Sequence, residues 1–163
     1  MLPRLGYPGR YPDLGQARRQ DWTNSTMMIA LDLEATLIDN AISGIPRPGL
    51  YSFIEFCMEN FERVALLTTV DEPDARQVLY SLADSGAIPD AFTAAEYINW
   101  QGEYKDLRYA RDMLVEDIIF VDDDKSWIHP EQTDRWIAIE PWMTGDNDRE
   151  LSRVQQAISK RLG

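Results

Sequence analysis

The strongest constraint on the fold is a series of short apolar segments, each followed by polar residues. These segments lie at residues 28–31, 64–67, 118–121 and 136–139. Continuous apolar runs of this length are typical of strands buried on both faces of a parallel sheet. The sequence therefore predicts four such strands.

Between and after these strands, apolar side chains recur with the spacing of an α-helix. One helix is predicted at residues 50–61, a second after the capping residue Asp71, and a third at residues 151–162. Residues 105–114 also fit a helix, whereas residues 92–100 fit either a short strand or a turn. Strands that alternate with helices predict a Rossmann-like α/β fold, a three-layer sandwich with a mostly parallel sheet and helices on both faces.

The chain divides into a tail and a single domain. Residues 1–26 hold three Pro and three Gly and show no apolar period, which predicts a disordered tail. Residues 27–163 then form one domain, since domains typically run about 100–200 residues. The single Cys57 excludes an internal disulfide framework and favours a reducing, cytoplasmic location. No apolar run has the roughly 18 residues of a membrane span, so we expect a soluble protein.

The net charge of the chain, −12 at pH 7, bears on its partners. Residues 27–163 hold 12 basic and 26 acidic side chains, a net charge of −14. Binding along a nucleic-acid backbone needs clustered Lys and Arg, so nucleic acid is not expected as a partner. An acidic surface also keeps a globular protein soluble.

Polar residues follow three of the predicted strands at their carboxyl ends, where ligands bind in open α/β sheets. The groups are Asp32 and Glu34, then Thr68 and Thr69, then Asp122, Asp123 and Asp124, with Lys105 in a loop near the same edge. Several carboxylates at one place repel one another unless some are protonated or a cation lies among them. A hard divalent ion, above all Mg²⁺, meets that need.

These residues resemble the motifs of the haloacid dehalogenase (HAD) superfamily. The sequence from Asp32 to Leu37 resembles the first motif, DxDxT(L/V), and Leu66-Leu67-Thr68 resembles the second. Lys105 fits the third motif, and Val121-Asp122-Asp123 fits the acidic fourth. The segment Gly102-Glu103-Tyr104-Lys105-Asp106-Leu107, with Arg47-Pro48-Gly49-Leu50, is closer to the NLI-interacting-factor-like branch, which includes the RNA polymerase C-terminal-domain phosphatases.

The resemblance implies a Mg²⁺-dependent phosphoric monoester hydrolase with Asp32 as the nucleophile that forms an aspartyl-phosphate. It implies that Thr68 and Lys105 act on the phosphoryl group, with Thr69 as a further substrate-binding residue. It also implies metal ligation by Asp32, the Glu34 backbone carbonyl and Asp123, with Asp122 beside it. The role of Asp124 stays open.

Glu34 is the point at which the sequence departs from the usual motif. Most phosphatases of the superfamily carry Asp there as the general acid and base, although enolase-phosphatases are similar to this chain, with Asp-x-Glu-x-Thr. Glu has the same acid chemistry but is one methylene longer, and general acid–base catalysis depends on reach. We therefore expect Glu34 to be the acid and base of an active enzyme.

The spacing of the motifs bears on the substrate. Only 31 residues separate Thr36 from Thr68, and 36 separate Thr68 from Lys105. Neither interval holds a large cap domain, so an open site is expected, and the resemblance points to a phosphoprotein substrate. Two alternatives remain: a catalytically inactive HAD-like binding module, and a phosphoacceptor receiver domain, which uses similar residues in another order.

Overall fold

A computed structural model of the chain describes residues 26–163. Its centre is a sheet of five parallel strands in the order β3-β2-β1-β4-β5. The strands are β1 (Met28–Leu31), β2 (Arg63–Leu66), β3 (Glu96–Tyr97), β4 (Ile118–Asp122) and β5 (Trp136–Ala138), and the α-helices are α1 (Leu50–Asn60), α2 (Glu72–Asp84) and α3 (Glu150–Leu162). The predicted Rossmann-like α/β fold is confirmed. The tail predicted at residues 1–26 lies, but for its last residue, outside the described residues.

The α-helices begin and end close to where the sequence predicts. Helix α1 follows Gly49, whose positive φ of 84° suits glycine at the turn into the helix. Helix α2 has a proline and two acidic residues in its first turn, which favour a helix N-terminus. Within residues 26–163, no helix combines the length and the apolar character that crossing a membrane requires.

Each face of the sheet packs against its own apolar cluster. Because side chains alternate along a strand, Ile29 and Leu31 of β1 face the cluster to which α1, α2 and α3 contribute side chains. Met28 and Ala30 face the other cluster, which the chain between β3 and β5 covers with short 3₁₀ helices. Helical segments therefore cover both faces, as the predicted sandwich requires.

The helix predicted at residues 105–114 is wrong. In this range the structure has only the short 3₁₀ helix Leu107–Tyr109. The backbone N–H of Lys105 donates to the carbonyl of Trp127 at 2.8 Å. The Asp106 carboxylate accepts the backbone N–H of Arg108 at 2.9 Å, a local bond that competes with helix formation. The apolar side chains whose spacing suggested a helix instead pack against one face of the sheet.

The strand register brings the predicted site residues to one edge. Leu31 of β1 is level with Leu66 of β2 and Val121 of β4. Beyond that level, the backbone N–H of Asp32 donates to the carbonyl of Val121 at 3.0 Å. The residues that follow β1, β2 and β4 therefore lie side by side at the carboxyl edge of the sheet.

Candidate active site

A buried lysine between two carboxylates forms the centre of the site. Lys105 Nζ donates to Asp32 Oδ1 at 2.8 Å and to Asp122 Oδ2 at 2.6 Å. Asp32 follows β1, Asp122 ends β4, and Lys105 comes from the loop over the adjacent face. Their exposed fractions are 5%, 0% and 2% respectively. One ammonium thus faces two buried carboxylates, which leaves an excess of negative charge when both are ionised.

The pKa shifts at this centre follow from burial and from this unequal pairing. Burial raises the pKa of Asp32 well above its usual range; Lys105 opposes that shift and repulsion from Asp122 adds to it. Burial also raises the pKa of Asp122, although Lys105 pulls it down. Burial would lower the pKa of Lys105, but the two carboxylates outweigh it and raise that pKa. Lys105 therefore stays charged, and its single positive charge cannot balance both carboxylates when both are ionised.

Thr36 connects the centre to a third carboxylate. Its Oγ1 lies 2.9 Å from Asp32 Oδ2 and 3.1 Å from Asp123 Oδ1, and its single hydrogen can be donated to either. Carboxylate oxygens of Asp32, Asp122 and Asp123 lie within 4.8 Å of one another. Three hard oxygen donors with excess negative charge fit Mg²⁺. The sequence motif included Thr36, but sequence reasoning gave it no role.

The Glu34 carboxylate points to a neighbouring turn. Its Oε2 accepts the backbone N–H of Ala41 at 2.7 Å. Glu34 is half-buried, and its carboxylate is not part of the group of three that could hold a metal ion among the described residues. The structure thus places Glu34 two residues from Asp32, with its carboxylate bound to the turn at Ala41.

Thr68 and Thr69 differ in exposure. Thr68 is buried, and its Oγ1 accepts the backbone N–H of Val70 at 3.1 Å. Thr69 is exposed. The indole of Trp100 donates to the carbonyl of Thr68 at 2.9 Å, and the hydroxyl of Tyr97 donates to the carbonyl of Val70. These aromatic residues therefore hold the loop that carries the two threonines.

Asp124 has a structural role that the sequence left open. Its carboxylate accepts the backbone N–H of Ser126 at 2.9 Å and the Ser126 hydroxyl at 2.7 Å. It thereby caps the 3₁₀ helix Lys125–Trp127. Asp122 Oδ1 accepts the backbone N–H of Asp124 at 2.8 Å, which fixes the turn after β4.

Arg47 lies beneath the loop that carries Asp32, Glu34 and Thr36, and sequence reasoning assigned it no role. It is 1% exposed and forms an ion pair with Asp148, with Nε 2.8 Å from Oδ1. In the sequence, only the family resemblance of the segment Arg47-Pro48-Gly49-Leu50 marks this residue. Its partner, 101 positions away, could not be found from spacing.

Comparisons with known proteins bear on the family and the fold of this chain. The family model of NLI interacting factor-like phosphatases matches residues 23–162, which include every site residue named above. By sequence, no curated protein matches. A solved structure of the fission yeast RNA polymerase II CTD phosphatase Fcp1, bound to beryllium fluoride, matches with a TM-score of 0.53 and 14% identity. The match covers 94% of this chain and 54% of that one, so the chain spans about half the length of its structural neighbour.

The likeness to that structure shows the shared fold, and the family match over nearly the whole described chain shows the family. The chain belongs to the family of NLI interacting factor-like phosphatases.

Proposed function

We propose that the protein hydrolyses a phosphate monoester with Mg²⁺ through an aspartyl-phosphate on Asp32, and that the substrate is a phosphoprotein. The observation that carries this proposal is the buried Asp32 carboxylate, whose oxygens are hydrogen-bonded by Lys105 and Thr36 at the carboxyl edge of the sheet. A nucleophile held on both oxygens is oriented before the substrate binds, which lowers the entropic part of the barrier.

In the first step, an oxygen of Asp32 attacks the phosphorus, and the bond from phosphorus to the leaving oxygen breaks. Glu34 donates its proton to that leaving oxygen. In the second step, Glu34 takes a proton from a water molecule as the water oxygen attacks the same phosphorus. The bond between phosphorus and Asp32 then breaks, which releases inorganic phosphate and restores both carboxyl groups. Two displacements thus replace one difficult displacement.

Lys105 and the threonines bind the phosphoryl oxygens in this proposal. Lys105 Nζ supplies a positive charge that offsets the repulsion between the Asp32 carboxylate and the phosphate. Because Thr68 Oγ1 accepts the N–H of Val70, its own hydrogen is left to donate to a phosphoryl oxygen. Thr69, exposed beside it, is a further substrate-binding residue.

Mg²⁺ would be held by the carboxylates of Asp32, Asp122 and Asp123 and by the backbone carbonyl of Glu34. When bound, the ion supplies positive charge that stabilises the transferring phosphoryl group. The excess of carboxylates over ammonium at Lys105 supports this assignment.

A phosphoprotein substrate is supported by the connections around the site. Only α1 lies between Glu34 and β2 as regular structure, and between β2 and Lys105 lie α2, a 3₁₀ helix and the two-residue β3. We therefore propose that residues 27–163 form one domain without a large cap. The structural neighbour is named as a phosphatase of a polymerase C-terminal domain, which is a protein substrate.

The test is hydrolysis of p-nitrophenyl phosphate with Mg²⁺, with Asp32→Asn as the matched control. We expect turnover by the parent protein and none by the variant. A panel of phosphopeptides, phosphosugars and end-phosphorylated oligonucleotides then tests the substrate class, and the phosphopeptides should be preferred. Turnover no faster than that of Asp32→Asn would overturn the proposal and leave the inactive binding module as the function.

A further inference from the structure

We propose that Arg47, Asp148 and Trp142 are positioning residues that fix a backbone kink at Ala35 and thereby set the directions of the Glu34 and Thr36 side chains on either side of it. The effect on catalysis rests on the proposed phosphatase function. The mechanical part, which is that these residues hold the backbone at Ala35, does not. None of the three residues is within hydrogen-bonding distance of Asp32 in the contacts of the described chain, so they act through the loop.

Every N–H of the Arg47 guanidinium has an acceptor. Nε and Nη2 donate to the two oxygens of Asp148 at 2.8 and 2.9 Å. Nη1 donates to the carbonyls of Ala35 at 3.2 Å and Thr36 at 3.1 Å, and Nη2 also donates to the carbonyl of Glu140 at 2.7 Å. The rigid fork of donors thus ties the Asp32–Thr36 loop to the segment between β5 and α3.

Ala35 has a backbone conformation that its side chain disfavours. Its φ is 59°, in the left-handed region that Gly adopts much more readily. Three backbone contacts hold it there. Its carbonyl accepts from Arg47 Nη1 and, at 2.9 Å, from the backbone N–H of Trp142, and its own N–H donates to the carbonyl of Asp39 at 3.1 Å. Such a conformation persists only where the surroundings determine it.

The kink separates two side chains that the chemistry needs in different places. On one side of it, the carboxylate of Glu34 reaches the N–H of Ala41. On the other side, the hydroxyl of Thr36 reaches Asp32 and Asp123. If Ala35 relaxed to a right-handed or extended conformation, both side chains would be redirected. Displacements of about 1 Å at an active site can lower turnover about 100-fold.

The far end of this arrangement lies just before α3, where the chain offers a matched control. Asp148 is 17% exposed at its side chain and binds Arg47. Two residues later, Glu150 also carries a carboxylate, but this one accepts the N–H of Glu140 at 3.0 Å and pairs with Arg153. Removing either carboxylate disturbs the same segment, and only the first removal breaks the link to the Ala35 loop.

The experiment compares Asp148→Ala with Glu150→Ala on two substrates and by hydrogen exchange. p-Nitrophenyl phosphate has a good leaving group that needs little protonation, whereas a phosphoserine peptide needs a proton from Glu34. We expect Asp148→Ala to lower kcat/KM, which reports the steps up to the aspartyl-phosphate, at least about 10-fold more on the phosphopeptide than on p-nitrophenyl phosphate. Glu150→Ala should leave the ratio of the two kcat/KM values unchanged. Arg47→Lys, which keeps the charge but loses the fork, should lie between the parent and Asp148→Ala.

Hydrogen exchange tests the mechanical part without turnover. In Asp148→Ala, the amides of Ala35 and Leu37 should exchange at least about 10-fold faster than in the parent, and in Glu150→Ala they should not. If the parent hydrolyses no phosphate ester but this difference is found, the proposed function fails and the link to Ala35 stands. Equal loss on both substrates, or unchanged exchange at Ala35 and Leu37 in folded Asp148→Ala, would overturn the inference.

Discussion

Two buried cations, Arg47 and Lys105, lie at the same edge of the sheet and have different surroundings. The side chain of Arg47 is 0% exposed and binds one carboxylate and three backbone carbonyls. The side chain of Lys105 is 2% exposed and binds two carboxylates, with Asp123 close to both. The first cluster is neutral and fully hydrogen-bonded, whereas the second keeps unbalanced negative charge.

The difference supports a structural role for the Arg47 ion pair and the catalytic role that we propose for Lys105. Around Arg47 the donors and acceptors match, so the cluster needs nothing from outside. Around Lys105 the surplus carboxylates raise the free energy of the folded chain, because buried charge without a partner is costly. A metal ion and a phosphate can together complete that cluster, which is why we assign the chemistry to Lys105 and the positioning to Arg47.

The largest expected effect is on turnover in Lys105→Met. Loss of a cation that stabilises a transferring phosphoryl group should lower kcat by about 10³–10⁵-fold. Steady-state kinetics on p-nitrophenyl phosphate measure it, with circular dichroism to verify folding. Arg47→Lys, which keeps a cation in the balanced cluster, should lose far less. A Lys105→Met protein that folds and retains a tenth of the parent kcat would show that Lys105 does not stabilise the transferring phosphoryl group.

Variants of Glu34 test whether the proton for the leaving oxygen comes from a residue outside the Lys105 cluster. Glu34→Ala should lower kcat on a phosphoserine peptide by about 10²–10⁴-fold, because it removes the acid and base, and Glu34→Asp should retain turnover. Initial rates for the three proteins on the same peptide provide the measurement. If Glu34→Ala is as fast as the parent, the acid and base lie elsewhere.

Metal binding should stabilise only the unbalanced cluster. At 100 times its Kd, Mg²⁺ should raise the free energy of unfolding by about 2.7 kcal/mol. Urea unfolding with Mg²⁺ and with a chelator measures this difference. Asp122→Asn should lose most of the gain, whereas Asp148→Asn should keep it. An equal loss in the two variants would contradict the assignment of the metal.

The smallest effect concerns the stability of the metal-free protein. Asp32→Asn removes a surplus carboxylate and should raise the free energy of unfolding by about 1 kcal/mol, whereas Asp148→Asn should lower it. Because burial raises the folded-state pKa of Asp32, its ionisation costs stability as pH rises above the unfolded-state value. The gain in Asp32→Asn should therefore be larger at pH 7 than at pH 4, as measured by urea unfolding. A gain in the free energy of unfolding that grows as the pH falls would contradict this prediction.

The sequence predicts the sheet and the α-helices well, because burial on both faces makes the strands continuously apolar. Strands β1 and β4 begin at the predicted residues, and β2 lies one residue earlier than predicted. The helix prediction for residues 105–114 fails for a physical reason. Their apolar period reflects packing on the sheet, and the bonds of Lys105 and Asp106 to backbone groups prevent a helix.

The sheet explains why the predicted site residues lie together. It does not determine the other contacts that these residues make. Parallel strands place Asp32, Thr68 and Asp122 at one edge whatever the loops do. The direction of the Glu34 carboxylate depends on the turn at Ala41, which no local pattern fixes. The pairing of Arg47 with Asp148 depends on how the last loop returns to the first, so it is visible only in the folded chain.

In the proposed reaction Asp32 carries the phosphoryl group, and chemical trapping can identify the residue that does so. The parent protein is mixed with a phosphate monoester and Mg²⁺, quenched in acid during turnover and reduced with borohydride, which converts an aspartyl-phosphate to homoserine. Mass spectrometry then reads the modified residue. We predict homoserine at position 32 and none in Asp32→Asn. Continued turnover with no modification at position 32, or with the modification at another carboxylate, would show that Asp32 is not the nucleophile.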